Sequence, residues 1–228
     1  TRTKTRQQVK DALDALKASV RVSPSPQGVT VTIEVRKPQL AATLDLVAEA
    51  LQSPAFDARE FEQLRREVLA AYEQQKDDPM AIGQIGLQRL LSPFQTKGHP
   101  LYVPSVPELI ADATALKLDE VKAFHSKFYG AQNGFIALVG DFDEAEVKAQ
   151  LEKRFGAWKA PEAYARIAVP YSALEKKNAV IETPDKKMAF FGAGTNFKLK
   201  ESDSDYPAML IADYMLGGGF LNGRVPQR

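Results

Sequence analysis

The sequence predicts an α+β fold with a largely antiparallel sheet and helices packed on one of its faces. Three observations predict it. A strand-turn-strand pattern over residues 19–35 is followed by several helical stretches, not by the regular strand-helix alternation of a parallel sheet. The helical stretches carry apolar residues on one face only, as helices do when they cover a sheet or one another. Short β-rich runs then recur at 134–139, 179–182 and 188–193.

The elements follow in order. Thr5 and Gln8 form a capping-box pair, and Val9, Leu13 and Leu16 recur on one face of a helix ending near Lys17. Ser19–Val22 and Val29–Val35 read as a hairpin, with Pro24, Pro26 and Gly28 marking the turn. Leu40, Leu44, Val47 and Leu51 give a second helix, stopped by Pro54. Asp57 caps a longer one, with Phe56 as a hydrophobic staple and Phe61, Leu64, Val68 and Tyr72 inward, as far as Asp77-Asp78-Pro79.

Met80–Leu91 reads as helical, and Ser92–Pro107 as a proline-rich surface loop. Asp119 caps Glu120–Tyr129, with Val121, Phe124 and Phe128 inward. A buried strand Gly134–Val139, a helix Asp143–Phe155 and a core Trp158 complete a first domain over residues 1–160. Residues 161–178 form a linker. Strands Ala179–Glu182 and Met188–Ala193 and a helix Ser204–Leu216 open a second unit, residues 179–228, expected to be the truncated start of a related lobe.

Composition narrows the function. The 30 Lys+Arg nearly cancel the 29 Asp+Glu, and basic pairs such as Arg65–Arg66 and Lys186–Lys187 are scattered, so binding to nucleic acid through a basic patch is not expected. No apolar run approaches the roughly 20 residues that cross a bilayer. Thr1–Lys10 lacks the apolar core of a signal peptide, which places any targeting segment upstream. The absence of cysteine removes disulfides, thiol nucleophiles and thiolate ligands. It leaves both periplasm and cytoplasm open.

Histidine is the scarcest residue that chemistry would need. Only His99 and His125 occur, whereas a catalytic zinc takes two imidazoles and a carboxylate. Neither H-E-x-x-H nor H-x-x-E-H is present. His99, in Gly98-His99-Pro100, and His125, beside Phe124, both read as structural or exposed. No Gly-x-Ser-x-Gly elbow and no phosphate-binding glycine loop occurs. Gly217-Gly218-Gly219 follows a helix and reads as a C-cap with a turn, or as a loop beside a substrate channel that includes Phe220, Asn222 and Arg224. Glu60, Glu62, Glu67, Asp77 and Asp78 read as a solvated helix face.

From Thr5 to Lys159 the chain resembles the pitrilysin/insulinase family of zinc metallopeptidases. The segments that carry the resemblance are Lys10–Val22, Leu44–Leu51, Phe56–Pro79, His99-Pro100-Leu101, Leu118–Tyr129, Val139–Phe142 and Phe155-Gly156-x-Trp158, with Leu216–Arg228 resembling the glycine-rich region of a second lobe. The resemblance implies an H-x-x-E-H helix upstream of Thr1 in active members. It also implies an acidic zinc ligand a few residues before Asp77-Asp78-Pro79, where Ala70 and Ala71 stand. A methyl group cannot coordinate zinc. On the hairpin, Ser19–Gly28 departs from the Asn-Ala-x-Thr-type segment of active members.

The resemblance therefore implies an inactive half, with no catalytic or metal residue of its own. Such a half forms one wall of a peptide-degrading chamber against a zinc-bearing partner half, and the zinc is expected in that partner. The family's Arg-x6-Tyr pair falls beyond Arg228 on this alignment. Two alternatives stay open: an active zinc lobe whose motif helix lies upstream, and a structural scaffold subunit with the same fold.

Overall fold

The computed structural model describes residues 1–218, 223 and 224. Helix α1 (Arg6–Leu16) begins where Thr5 and Gln8 close a reciprocal capping box, and it ends at Lys17 in a left-handed conformation, φ 51°. The chain then enters β1 (Ser19–Ser25) and β2 (Gly28–Glu34), which pair antiparallel from Ser19 opposite Glu34 to Ser25 opposite Gly28. The strands run further toward the turn than the sequence predicts. Pro24 lies inside β1, which a two-stranded ribbon tolerates because its outer edge needs no ladder donor.

Helix α2 (Leu40–Gln52) is the centre of the core. Thr43, Leu44, Leu46, Val47 and Ala48 are all buried, each large aliphatic among them contributing roughly 1.5–3 kcal/mol on burial. Thr43, the most deeply buried, has its hydroxyl satisfied by the Gln39 carbonyl at 2.9 Å. Helix α3 (Ala58–Gln75) starts at Asp57, whose carboxylate accepts from the Arg59 and Glu60 amides, and α4 (Pro79–Leu91) starts at Asp78, which accepts from Met80 and Ala81. Helix α5 (Val106–Ala115) packs on α3. Helix α6 (Leu118–Phe128) follows, and α7 (Glu144–Phe155), capped by Asp143, lays the buried Val147 toward α2. Helix α8 (Tyr206–Asp213) runs into a wider π-type turn, Tyr214–Gly218.

Among the described residues, eight helices and one antiparallel pair of strands make this an α+β chain. Among the described residues, no helix is long and apolar enough to cross a membrane. The surface area is 17,524 Å², against about 10,000 Å² for a compact monomer of this mass. Much apolar surface therefore faces outward.

Several expectations are corrected. Gly134–Val139 is not a buried strand: Phe135 is 93% exposed and Val139 fully so, and no neighbouring strand pairs with the segment. Ala179–Glu182 and Met188–Ala193 likewise lack a ladder. A β-prone run becomes a strand only when another strand supplies its hydrogen bonds. On α6, Phe124 and Phe128 are exposed and His125 faces inward; on α3, Leu64 is exposed. Phe56 takes a positive φ and meets His125 edge-on at 5.4 Å between ring centroids. The N-cap of α6 is Lys117, not Asp119, which lies in the first helical turn. Helix α5 begins at Val106, inside the stretch that reads as a loop to Pro107.

Candidate functional site

Ala70 and Ala71 lie near the C-terminal end of α3, and both are exposed. Neither can donate an electron pair, so this stretch of α3 offers nothing to a metal. The two histidines are committed elsewhere. His125 Nε2 lies 2.7 Å from the Leu51 carbonyl, where it must carry the proton, and its ring packs against Tyr129 at 4.6 Å. His99 Nδ1 accepts from the Leu101 amide at 3.1 Å, and its ring stacks on Phe94 at 4.3 Å.

No group of three or more His, Asp or Glu side chains close enough to share an ion occurs among the described residues. The side chains present do not fit a zinc centre of the kind the fold family uses.

Two carboxylates have strongly depressed pKa values. Glu108 is held at about 2, first by the Ser105 amide, then by the Tyr102 and Ser105 hydroxyls and the Arg89 guanidinium. Glu49 is held at about 2, first by Lys4 and then by the Thr1 and Thr3 hydroxyls. A perturbed carboxylate in a cleft is a candidate for catalysis, but a general base must keep an oxygen free near neutral pKa. Both groups are saturated with donors and act as anchors: Glu108 joins the start of α5 to α4, and Glu49 joins the chain before α1 to α2.

Two depressions lie on the surface of the described residues. One, of about 360 Å³, lies where the Gln27 side chain at the hairpin tip accepts from the Ile167 amide, and Arg166–Val169 form its wall. The other, of about 220 Å³, lies between residues 37–41 and the first turn of α7, beside the Lys37–Asp141 ion pair at 2.9 Å. Asp143 in its wall is already occupied as the α7 cap. Neither depression assembles a nucleophile with a base.

In the glycine cluster, Gly217 and Gly218 continue the helical winding of the π-type turn, and neither takes a positive φ. The Arg224 amide returns to the Met215 carbonyl at 3.0 Å, and Gly223 is buried against Gly217. Gly219, Phe220 and Asn222 lie outside the described residues.

One relationship escaped the sequence reading. Gly83 and Gly86 of α4 leave room for Phe190 and Ile181, and Gly192 and Gly194 pass close to Leu87 and Leu91 of the same helix. Asn196 secures this approach, donating to the Leu91 carbonyl at 3.3 Å and the Ser172 carbonyl at 3.2 Å. Two glycines three residues apart on an apolar helix were the available signal.

Comparison with known proteins places this geometry. Residues 115–225 match the family model described as the peptidase M16 inactive domain. Non-peptidase homolog YmxG of Helicobacter pylori is 25% identical over 203 residues, 89% of this chain and 45% of that protein. Among solved structures, a peptidase M16 inactive domain from Pseudomonas fluorescens superposes with a TM-score of 0.75 at 24% identity, covering 97% of this chain and 52% of that one. A protease from Helicobacter pylori gives a TM-score of 0.58 at 22% identity over 77% of this chain and 41% of its own. Pitrilysin gives 0.52 at 22% identity over 71% of this chain and 17% of its own. The chain spans about half the length of the relatives it matches first. The resemblance to pitrilysin-type peptidases holds in fold, and in sequence over the matched stretch it is to the inactive domain.

Proposed function

We propose that this chain, a relative of the peptidase M16 inactive domains, works as a non-catalytic wall of a peptide-degrading chamber, with zinc and general base supplied by a partner half. The observation that carries the reading is the pair Ala70 and Ala71, exposed methyl groups where the resemblance implies the acidic ligand. The match of residues 115–225 to an inactive domain supports it.

On this reading residues 1–160 form the peptidase-like domain, residues 161–178 the linker and residues 179–228 the start of a related lobe. Gly217, Gly218 and Arg224 border the chamber on the same reading. Peptides are the substrates of the assembly, not of this chain alone.

The test is peptide hydrolysis by this chain and by its full-length parent with and without its partner half, each with and without a chelator. Cleavage confined to the complete assembly and abolished by chelation is expected. Chelator-sensitive cleavage by this chain alone would refute the proposal. No cleavage by any assembly would favour a scaffold, a reading that the name of the Helicobacter pylori relative, a non-peptidase homolog, also supports.

A further inference from the structure

The turn around His99 is built on the neutral form of its imidazole. The His99 amide donates to the Thr96 carbonyl at 3.2 Å, and the Tyr102 amide donates to the His99 carbonyl at 2.9 Å. Between them the Leu101 amide, two residues on, donates to Nδ1 at 3.1 Å. An imidazole nitrogen that accepts a hydrogen bond holds no proton, and an imidazolium has no acceptor nitrogen left. Protonation therefore removes this bond and sets a second N–H against the first.

The turn matters because of what it delivers. Tyr102 donates its hydroxyl to Glu108 at 2.8 Å, and Arg89 meets the same carboxylate at 2.8 Å while lying over the Tyr102 ring. The loop from α4 to α5 is thus pinned at Glu108 by Tyr102 and shaped just before it by His99.

The charged and titratable groups on the turn and on both helices packed with it are Lys97, Tyr102, Arg89, Glu108 and Asp112. Lys97 is closed on Asp112 at 3.0 Å and Arg89 on Glu108 at 2.8 Å. Of the side-chain types in this set, an imidazole is the one whose ordinary titration range lies near neutral pH.

We infer that the Thr96–Tyr102 turn is a pH-sensitive latch, closed while His99 is neutral and loosened when His99 takes up a proton. Phe94 does not oppose the change, because an aromatic face attracts an imidazolium. The ring stays stacked while the Leu101 amide is released.

The experiment is amide hydrogen exchange by NMR on this chain at pH 8 and pH 5, corrected for the intrinsic pH dependence of exchange, with ¹⁵N shifts of the His99 ring read in parallel. His99→Asn is the comparison. Its side-chain oxygen accepts from the amide two residues on, as in an Asx-turn, and does not titrate. Wild type is expected to show Nε2-protonated His99 at pH 8. Protection of Leu101 should then fall roughly 2- to 10-fold at pH 5, the loss of one ordinary hydrogen bond, while His99→Asn stays flat. Unchanged protection in wild type overturns the proposal, as does an equal fall in His99→Asn. Should that variant fail to fold, an Nδ1-protonated His99 in wild type at pH 8 overturns it without the variant.

Discussion

Gly83 and Phe190 share one space: a Cβ placed on Gly83 would overlap Cδ1 of Phe190, more than 100 residues further along the chain. Alanine in a helix interior is favoured over glycine by about 1 kcal/mol, and overfilling a packed site costs about 1–3 kcal/mol. Gly83→Ala is therefore expected to destabilise the chain in denaturant unfolding. In a Phe190→Ala background the same substitution should stabilise it. A change that keeps one sign in both backgrounds would show that Phe190 does not occupy this seat.

Glu108 sets an acid limit. Its pKa in the folded chain is about 2, against an ordinary 4.5, so its contribution is fully present above about pH 5 and is lost as the pH falls through that interval. Glu108→Gln is expected to lower the thermal midpoint at pH 7, with the gap from wild type closing as pH approaches 2. A gap that stays constant with pH would mean that the carboxylate is not held by its four donors.

His125 joins α6 to the end of α2 through the Leu51 carbonyl. His125→Ala should cost about 1–3 kcal/mol, since it strands a half-buried carbonyl and removes the ring between Phe56 and Tyr129. His125→Phe keeps an aromatic ring and loses only the donor, and should recover part of that cost. Equal losses in the two variants would assign the whole effect to the hydrogen bond.

Ala70→Glu and Ala71→Glu put a carboxylate on an exposed stretch of α3. Each should change stability by no more than about 0.5 kcal/mol. Neither should confer zinc uptake or peptide hydrolysis, because one carboxylate holds no zinc and activates no water. Elemental analysis and a peptide assay check both points; about one zinc per chain in either variant would contradict the argument.

What could be read from sequence was local. Thr5 with Gln8 and Asp57 each satisfy backbone donors two or three residues away, and both caps are found where the residues predict them. Ser105 with Glu108 makes the same capping box, yet it went unread because the prolines around it spell a loop. Long-range choices were less legible. Phe124 is the more apolar residue, but the Leu51 carbonyl rewards a donor, so His125 turns inward and Phe124 stays out. Gly134–Val139 has the composition of a strand, and composition cannot say whether a second strand stands beside it. At the candidate site, Ala70 and Ala71 could be singled out by resemblance alone. The seat for Phe190 on α4 required the tertiary structure.

Arg154 of α7 reaches back across α2, with Nε on Asp45 at 2.7 Å and a terminal nitrogen on the Ala41 carbonyl at 3.1 Å, while Gln52 donates to the carbonyl of Arg154 at 2.7 Å. These contacts close a loop of more than 100 residues, so the apolar face of α2 waits for α7 to be made. At the usual pace of synthesis, about 5–20 residues per second, that wait lasts several seconds on the ribosome. Helix α1, made earlier, also packs on α2, so the wait concerns the side of α2 that α7 covers.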